Sequence, residues 1–283
     1  MKKRNRFGIF TLVLILSLCG CTQDKIPISS SSDVQKEQDT LPEAEITPEE
    51  EPFLYGYQNL NEEEKTRYRQ ILAGIENYED SVTVEVCSEE EINKVSNLVF
   101  VDHPEIFWLE QQNYSFNQKE NSDVDLLELN LVYNMGKDEI EDTKQQIEAK
   151  AEEWSQELSN CENEYDKIKY VYEFLGKNVL YDSESENNQN IQSVFLNQST
   201  VCMGFAKATQ YLLVRNGIFC TLVTGKVIPE NMEHAWNLVR IGENYYYVDT
   251  TWSSSGFVPE EDSIQDFSYT YLLSLIHISE PTR

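Results

Sequence analysis

Residues 200–217, TVCMGFAKATQYLLVRNG, decide how the rest of this chain reads. Ala208, Tyr211, Leu212 and Arg215 recur at the three- and four-residue spacing of a helix face, and Asn216-Gly217 supplies a helix stop. Cys202 therefore falls at the helix N-terminus. Unbonded backbone N–H groups and the positive end of the helix dipole stabilise an anion there, which favours the thiolate form of a cysteine. Gly204 suits close packing in the first turn. Taken alone, a buried structural cysteine is the simpler reading of Cys202.

The residues that follow change that reading. Segments 218–227, 234–241 and 244–250 have the apolar and β-branched character of strands, and Gly242-Glu243 fits a two-residue hairpin turn with glycine first. Such a turn pairs Ile241 with Asn244 and places Trp236 opposite Asp249. His234 shares the face of Trp236 by the period of two, so His234 and Asp249 become diagonal neighbours, roughly 7–8 Å apart at the backbone. A longer loop would shift this register. Imidazole can take a thiol proton, and a carboxylate can fix the imidazole tautomer. Cys202, His234 and Asp249 are thus candidates for those three roles.

The same residues carry a resemblance. VCMGFAKATQYLLVRNGI (201–218), HAWNLV (234–239) and YYYVDTTW (245–252) resemble, in order, the core motifs of the transglutaminase-like superfamily, across about residues 162–252. The resemblance implies an α+β, papain-like fold in which a cysteine-bearing helix packs on an antiparallel sheet. It also implies Cys202 as nucleophile, His234 as base and Asp249 as the orienting acid. The backbone N–H of Cys202 could stabilise an oxyanion, with Gln198 as a candidate side-chain donor. Trp236 and Trp252 read as packing rather than substrate contacts, and Cys220 as core.

Upstream, residues 53–158 read as a smaller α+β region. Asn61 with Glu64 and Ser88 with Glu91 have capping-box spacing, each before a helical stripe. Val82, Val84 and Val86 alternate as in a strand, and 107–116 and 126–133 read as two more. A long acidic helix is expected over 137–158. Tyr165, Ile168, Val171, Tyr172 and Leu175 mark another, the first in the expected domain 159–272. His103 reads as packed structure beside Phe107 and Trp108. The segment DHPEIFWL resembles a stretch found upstream of transglutaminase-like cores in bacterial exported proteins.

The two ends read differently. Residues 1–20 have the order of an export signal: basic Lys2, Lys3, Arg4 and Arg6, then an apolar run over 7–18. Leu18-Cys19-Gly20-Cys21 resembles a bacterial lipobox, which makes Cys21 the expected lipidated N-terminus. Residues 21–52, rich in serine, proline and acids, read as a disordered tether. Residues 273–283, LSLIHISEPTR, resemble the translation of a sequencing-library adapter and are set aside from fold and site arguments.

A formal net charge of −28 disfavours nucleic acid and anionic lipid headgroups and favours basic or neutral partners. The six cysteines form no CxxC pair; Cys87 and Cys161 could pair in an exported protein. No nucleotide, organic-cofactor or metal-finger signal is present, and a zinc site on Cys202, His234 and Asp249 would lack a fourth ligand. The reading that results is a lipid-anchored, extracytoplasmic thiol enzyme acting on peptide or amide bonds through a thioester. Its substrate would be a protein or peptide, including one of the cell envelope. Hydrolysis is preferred to amine transfer because no amine-guiding feature stands out in the sequence. The alternative is a non-catalytic cell-surface binding module. With its leader intact in a Gram-positive-type host, the protein should partition with membranes and Cys21→Ala should not. Equal soluble, secreted yield from both would argue against the anchor.

Overall fold

The computed structural model describes residues 41–109, 115–119, 126–227, 231–253, 268–274 and 279–281. The leader, Cys21 and the first part of the expected tether lie outside them. Among the described residues no helix is long and apolar enough to cross a membrane.

The N-terminal half is built on two capped helices. Asn61 caps α2 (Glu62–Glu76) with both bonds of a capping box: Glu64 N–H to Asn61 Oδ1 at 3.0 Å, and Asn61 N–H to Glu64 Oε2 at 2.9 Å. Ser88 caps α3 (Glu89–Asp102), but the Glu91 carboxylate turns to Arg67 at 2.6 Å instead of closing the box. Both helices bury their expected stripes, Tyr68, Ile71 and Ile75 from α2 and Ile92, Val95 and Val99 from α3. The short α1 (Tyr55–Gln58) is seated on the end of α3. The Asp102 carboxylate accepts the backbone N–H groups of Gly56 and Tyr57, both at 2.8 Å, and the Tyr68 hydroxyl at 3.0 Å. Gly56 is required there, because a Cβ would lie 2.8 Å from Asp102 Oδ2.

β1 (Ser81–Glu85), β2 (Ser115–Lys119) and β3 (Leu126–Asn130) form an antiparallel sheet in the order β1-β3-β2. Of the strand expected over 107–116, residues 110–114 lie outside the described residues, 115–116 belong to β2, and 107–109 form no strand. Phe107, Trp108 and Leu109 are buried in succession, which a strand with one solvent face cannot do, and only Leu109 makes a bridge, to Tyr133. Asn134 holds this stretch instead, donating its N–H to the Trp108 carbonyl and its side-chain amide to that of Phe107. β3 likewise ends at Asn130, short of Tyr133. α4 (Lys137–Ser155) tightens into a 3₁₀ turn over Gln156–Asn160, which brings Leu158 into the core.

The end of the expected tether also differs. Within 41–52, Ala44 and Ile46 pack against the core and the Ala44 N–H bonds the Arg69 carbonyl. Arg69 reaches Glu43 as well, at 2.7 Å. A few short apolar side chains spaced among acids anchor this strap, which average composition conceals.

In the C-terminal half, Asn163 caps α5 (Glu164–Asn178), and a short parallel pair, β4 (Leu180–Tyr181) and β5 (Ser199–Thr200), leads into α6 (Cys202–Arg215). An antiparallel sheet follows in the order β8-β7-β6-β9, from β6 (Cys220–Val227), β7 (Met232–Ile241), β8 (Asn244–Val248) and β9 (Ser279–Pro281); β9 falls in the adapter-like stretch 273–283, and the fold rests on β6 to β8 alone. The architecture is thus α+β, with the cysteine-bearing helix packed on an antiparallel sheet. One hydrophobic core runs through both halves. Trp154 of α4 stacks on Phe195 at 4.9 Å, and Gln210 of α6 donates to the Val101 carbonyl of α3 at 2.8 Å.

Gly204 permits the closest approach in this half. A Cβ there would lie 3.0 Å from Thr200 Cβ, closer still to its hydroxyl, and 3.1 Å from the Asn188 carbonyl. Thr200 cannot rotate away freely, since its hydroxyl donates to Asn188 O at 2.9 Å and accepts from Ser193 at 2.7 Å. Gly204→Ala should therefore destabilise the fold by about 1–3 kcal/mol in chemical denaturation. Unchanged stability would contradict this packing.

Candidate active site

Cys202 is the first residue of α6 and is half-buried as a whole residue. Val201 before it is extended and offers no side-chain cap, so the first-turn N–H groups beside the sulfur keep no side-chain partner from that position. The approach to the helix is rigid: the Asp182 N–H bonds the Thr200 carbonyl, and Thr200 is buried among Ser193 and Asn188.

His234 lies on β7 and Asp249 directly follows β8. The hairpin has the expected register, from Ile241 opposite Asn244 to Asn237 opposite Val248. The ladder ends one pair short of Trp236 and Asp249, yet the two side chains meet: His234 Nε2 lies 2.6 Å from Asp249 Oδ2. Both residues are buried, Asp249 completely. The other carboxylate oxygen accepts the Thr251 N–H at 3.2 Å, and the Asp249 N–H bonds the Tyr271 carbonyl at 3.0 Å.

This bonding assigns the imidazole tautomer. Nε2 carries a proton towards Asp249, which leaves Nδ1 as the nitrogen for Cys202, whose side chain also hydrogen-bonds this ring. Burial works against a charged ring, but the bonds and charges of Asp249 and Cys202 outweigh it and push His234 up to about 9. The three residues expected to act together are thus brought together. Gln198 makes no hydrogen bond to any of the three among the described residues. It is an exposed residue of left-handed backbone, four positions before Cys202, whose carbonyl accepts the Leu180 N–H.

Two tryptophans read as packing flank the imidazole itself. Trp236 stacks on His234 at 5.9 Å and 23°. The Trp252 indole N–H points at His234 Nε2 from 3.1 Å. It can donate there only when that nitrogen lacks a proton, so in the Asp249-bonded tautomer the Trp252 ring acts as a cover over the His–Asp bond.

A set of buried polar bonds, not foreseen from the sequence, fixes the segment after Asp249. The Thr209 hydroxyl donates to the Phe205 carbonyl, so Thr250 is the donor in the 2.7 Å bond between the two threonines. Ser253 donates to the Thr250 carbonyl at 2.6 Å, and Asn237 to the Ala206 carbonyl at 2.9 Å. The available signal was a hydroxyl inside an otherwise apolar helix face at Thr209, four residues after Phe205.

Cys87, Cys161 and Cys220 are all free thiols, so Cys87 and Cys161 do not pair. Burial pushes Cys220 well above the ordinary thiol range. Among the described residues no group of three or more histidine, cysteine, aspartate or glutamate side chains is arranged to hold a metal ion.

Residues 152–250 match the family model of the transglutaminase-like superfamily. Kyphoscoliosis peptidase of Mus musculus is 24% identical over 135 residues, 42% of this chain and 20% of that protein. The chain thus spans about a fifth of the length of the curated relative it matches. Among solved structures, a TGase is 16% identical with a TM-score of 0.36, over 67% of this chain and 55% of its own. The periplasmic domain of TgpA from Pseudomonas aeruginosa, bound to ethylmercury, is 12% identical with a TM-score of 0.31, over 62% of this chain and 72% of its own.

The raised value of His234 has a signed consequence. Because it lies above histidine's ordinary 6.5, the bonded ring stabilises the fold most fully below pH 6.5, and that contribution is lost as pH rises through about 9. An NMR titration of the His234 ring should place its midpoint near pH 9. Asp249→Asn should bring it down towards the ordinary value, and an unchanged midpoint in that variant would refute the charge coupling.

Proposed function

We propose that the transglutaminase-like domain of this chain is an extracytoplasmic thiol enzyme that cleaves peptide or amide bonds through a thioester. The observation that carries this reading is the 2.6 Å His234–Asp249 bond, with the same imidazole hydrogen-bonded to Cys202 at the start of a helix.

The starting state is a thiolate–imidazolium pair in which His234 holds the proton of the Cys202 thiol, and in the first step Cys202 Sγ bonds to the carbonyl carbon. The carbonyl oxygen becomes an oxyanion, met by the Cys202 backbone N–H, with Gln198 as the candidate second donor. His234 then gives its proton to the departing nitrogen, the C–N bond breaks and a thioester remains. Water, deprotonated by His234, attacks the thioester carbon, and the C–S bond breaks to release the acid and restore the thiol. Asp249 keeps the ring aligned and stabilises its charged form throughout. An amine in place of water would give crosslinking. Water is the acceptor in this reading because no amine-guiding feature stands out in the sequence. The export-like order of the leader and Cys21 at its end support placement outside the membrane on a lipid anchor.

The test is alkylation of the full chain by iodoacetamide over a pH series. Burial pushes the thiols of Cys87 and Cys161 up, and that of Cys220 much further, so the labelling of Cys202, at a helix start beside His234, should be faster than that of these three across the series. His234→Ala should slow it by on the order of tenfold. Cys202→Ala should abolish peptide or amide turnover while leaving the fold intact. If Cys202 labels like a free thiol and His234→Ala changes nothing, the enzyme reading fails.

A further inference from the structure

The oxyanion of the thiol reaction is met by the Cys202 backbone N–H, and a preorganised site gains from a second donor aimed at the same oxygen. Gln198 is poorly placed for it. The residue is exposed and left-handed, four positions before Cys202. Both of its backbone groups are taken, the N–H by the Val194 carbonyl at 3.2 Å and the carbonyl by the Leu180 N–H at 2.9 Å.

A hydroxyl on the neighbouring strand is better placed. β4 runs parallel to β5, with Leu180 opposite Ser199 and Tyr181 opposite Thr200. The ladder is bonded on both sides of Tyr181, through the Leu180 N–H to the Gln198 carbonyl and the Asp182 N–H to the Thr200 carbonyl, both at 2.9 Å. Adjacent strands lie about 4.8 Å apart and consecutive Cα atoms about 3.8 Å, so the Tyr181 and Cys202 Cα atoms are roughly 12 Å apart at most. A phenol and a thiol side chain can close that distance between them. Thr200 is itself pinned by Asn188 and Ser193, which fixes β4 against the start of α6.

The phenol and the sulfur also interact by charge. Burial first, and then the negative charge of Cys202, hold the Tyr181 hydroxyl above the ordinary tyrosine range. The hydroxyl therefore keeps its proton while the thiol is ionised, as a donor must. Tyr181 and Cys202 are both half-buried, so each presents surface to a substrate. The Tyr181 side chain packs against the core, which orients its hydroxyl before any charge develops.

We propose that Tyr181 is a catalytic residue of the thiol reaction, its hydroxyl carried to Cys202 by the β4–β5 ladder and donating to the oxyanion beside the Cys202 backbone N–H. The assignment rests on the thiol reading and gives it a side-chain donor other than Gln198. As Cys202 Sγ bonds to the carbonyl carbon, the C=O π pair moves to oxygen and the phenol O–H tightens its hydrogen bond there without giving up the proton. When the C–N bond breaks, the pair returns to the carbonyl and that hydrogen bond loosens. The donor meets charge absent from the ground state, so its loss falls on the rate and not on binding.

Two reactions of the same sulfur separate this role from a structural one. Acylation by p-nitrophenyl acetate passes through a tetrahedral oxyanion. Alkylation by iodoacetamide displaces iodide from a saturated carbon and forms none. Acylation of the full chain is followed as the first-turnover release of p-nitrophenol above a Cys202→Ala blank, and alkylation of Cys202 by mass spectrometry over a pH series. Tyr181→Phe keeps the ring that packs on the core. It should slow acylation roughly a hundredfold and leave the alkylation profile unchanged. Gln198→Ala should leave both unchanged. The proposal is overturned if Tyr181→Phe acylates as fast as wild type, if its acylation and alkylation fall together, or if Gln198→Ala shows the larger loss. A wild-type Cys202 that neither acylates above the blank nor alkylates faster than Cys87 and Cys161 sinks the thiol reading and this proposal with it. Equal acylation of a reactive wild type and Tyr181→Phe sinks this proposal alone.

Discussion

A carboxylate with no exposed surface, Asp249, faces an almost fully buried imidazole, His234, and much of the C-terminal half is arranged around that contact. Burying two such groups is unfavourable unless each is bonded well. The second oxygen of Asp249 is therefore met by a backbone N–H, and the ring's other nitrogen is given to Cys202. Trp236 and Trp252 keep water from the pair, which strengthens it electrostatically. The hydroxyl bonds from Thr209 to Thr250 and from Ser253 to the Thr250 carbonyl hold the residues after Asp249 against α6. The aspartate thus stays on its diagonal although the ladder has already ended at Val248.

The same helix joins the thiol site to the N-terminal half. α6 starts at Cys202 and its last turn lines a cavity of about 680 Å³, so one rigid element sets the distance between thiol and cavity. The cavity wall is completed from the N-terminal half, by Asp102 at the end of α3 and by the strap that includes Glu45 and Glu49. Its carboxylates are a local concentration of what the whole chain displays, 50 acidic side chains against 22 basic ones.

How much of this was legible in the sequence follows from how local each determinant is. A two-residue turn at Gly242-Glu243 fixes a strand register outright, so the His234–Asp249 diagonal could be derived without any long-range information. The capping box at Asn61 is equally local. Cys202 at the start of α6 followed from a stripe and a stop. What escaped depends on residues distant in sequence. Trp252 meets His234, and Thr250 meets Thr209, only because three elements converge. The stretch 107–109 looked like a strand because its residues are apolar and aromatic; its burial on all sides was decided by Asn134, twenty-five or more residues later. The strap 41–52 looked like tether because acids and prolines dominate it, while Ala44 and Ile46 hold it down.

The core that passes from α4 into the second half bears on modularity. All three motifs of the thiol site lie beyond residue 200, and a fragment started at residue 159 would contain every one of them. Such an excision would nonetheless remove Trp154 from the faces of Phe174 and Phe195, and take away the Val101 carbonyl that Gln210 bonds. The cut surface would be aromatic and apolar, the kind that self-associates. The three motifs therefore span less of the chain than the core they pack into. Swapping or transplanting this chemistry into another scaffold would have to carry α4 and the end of α3 along with it.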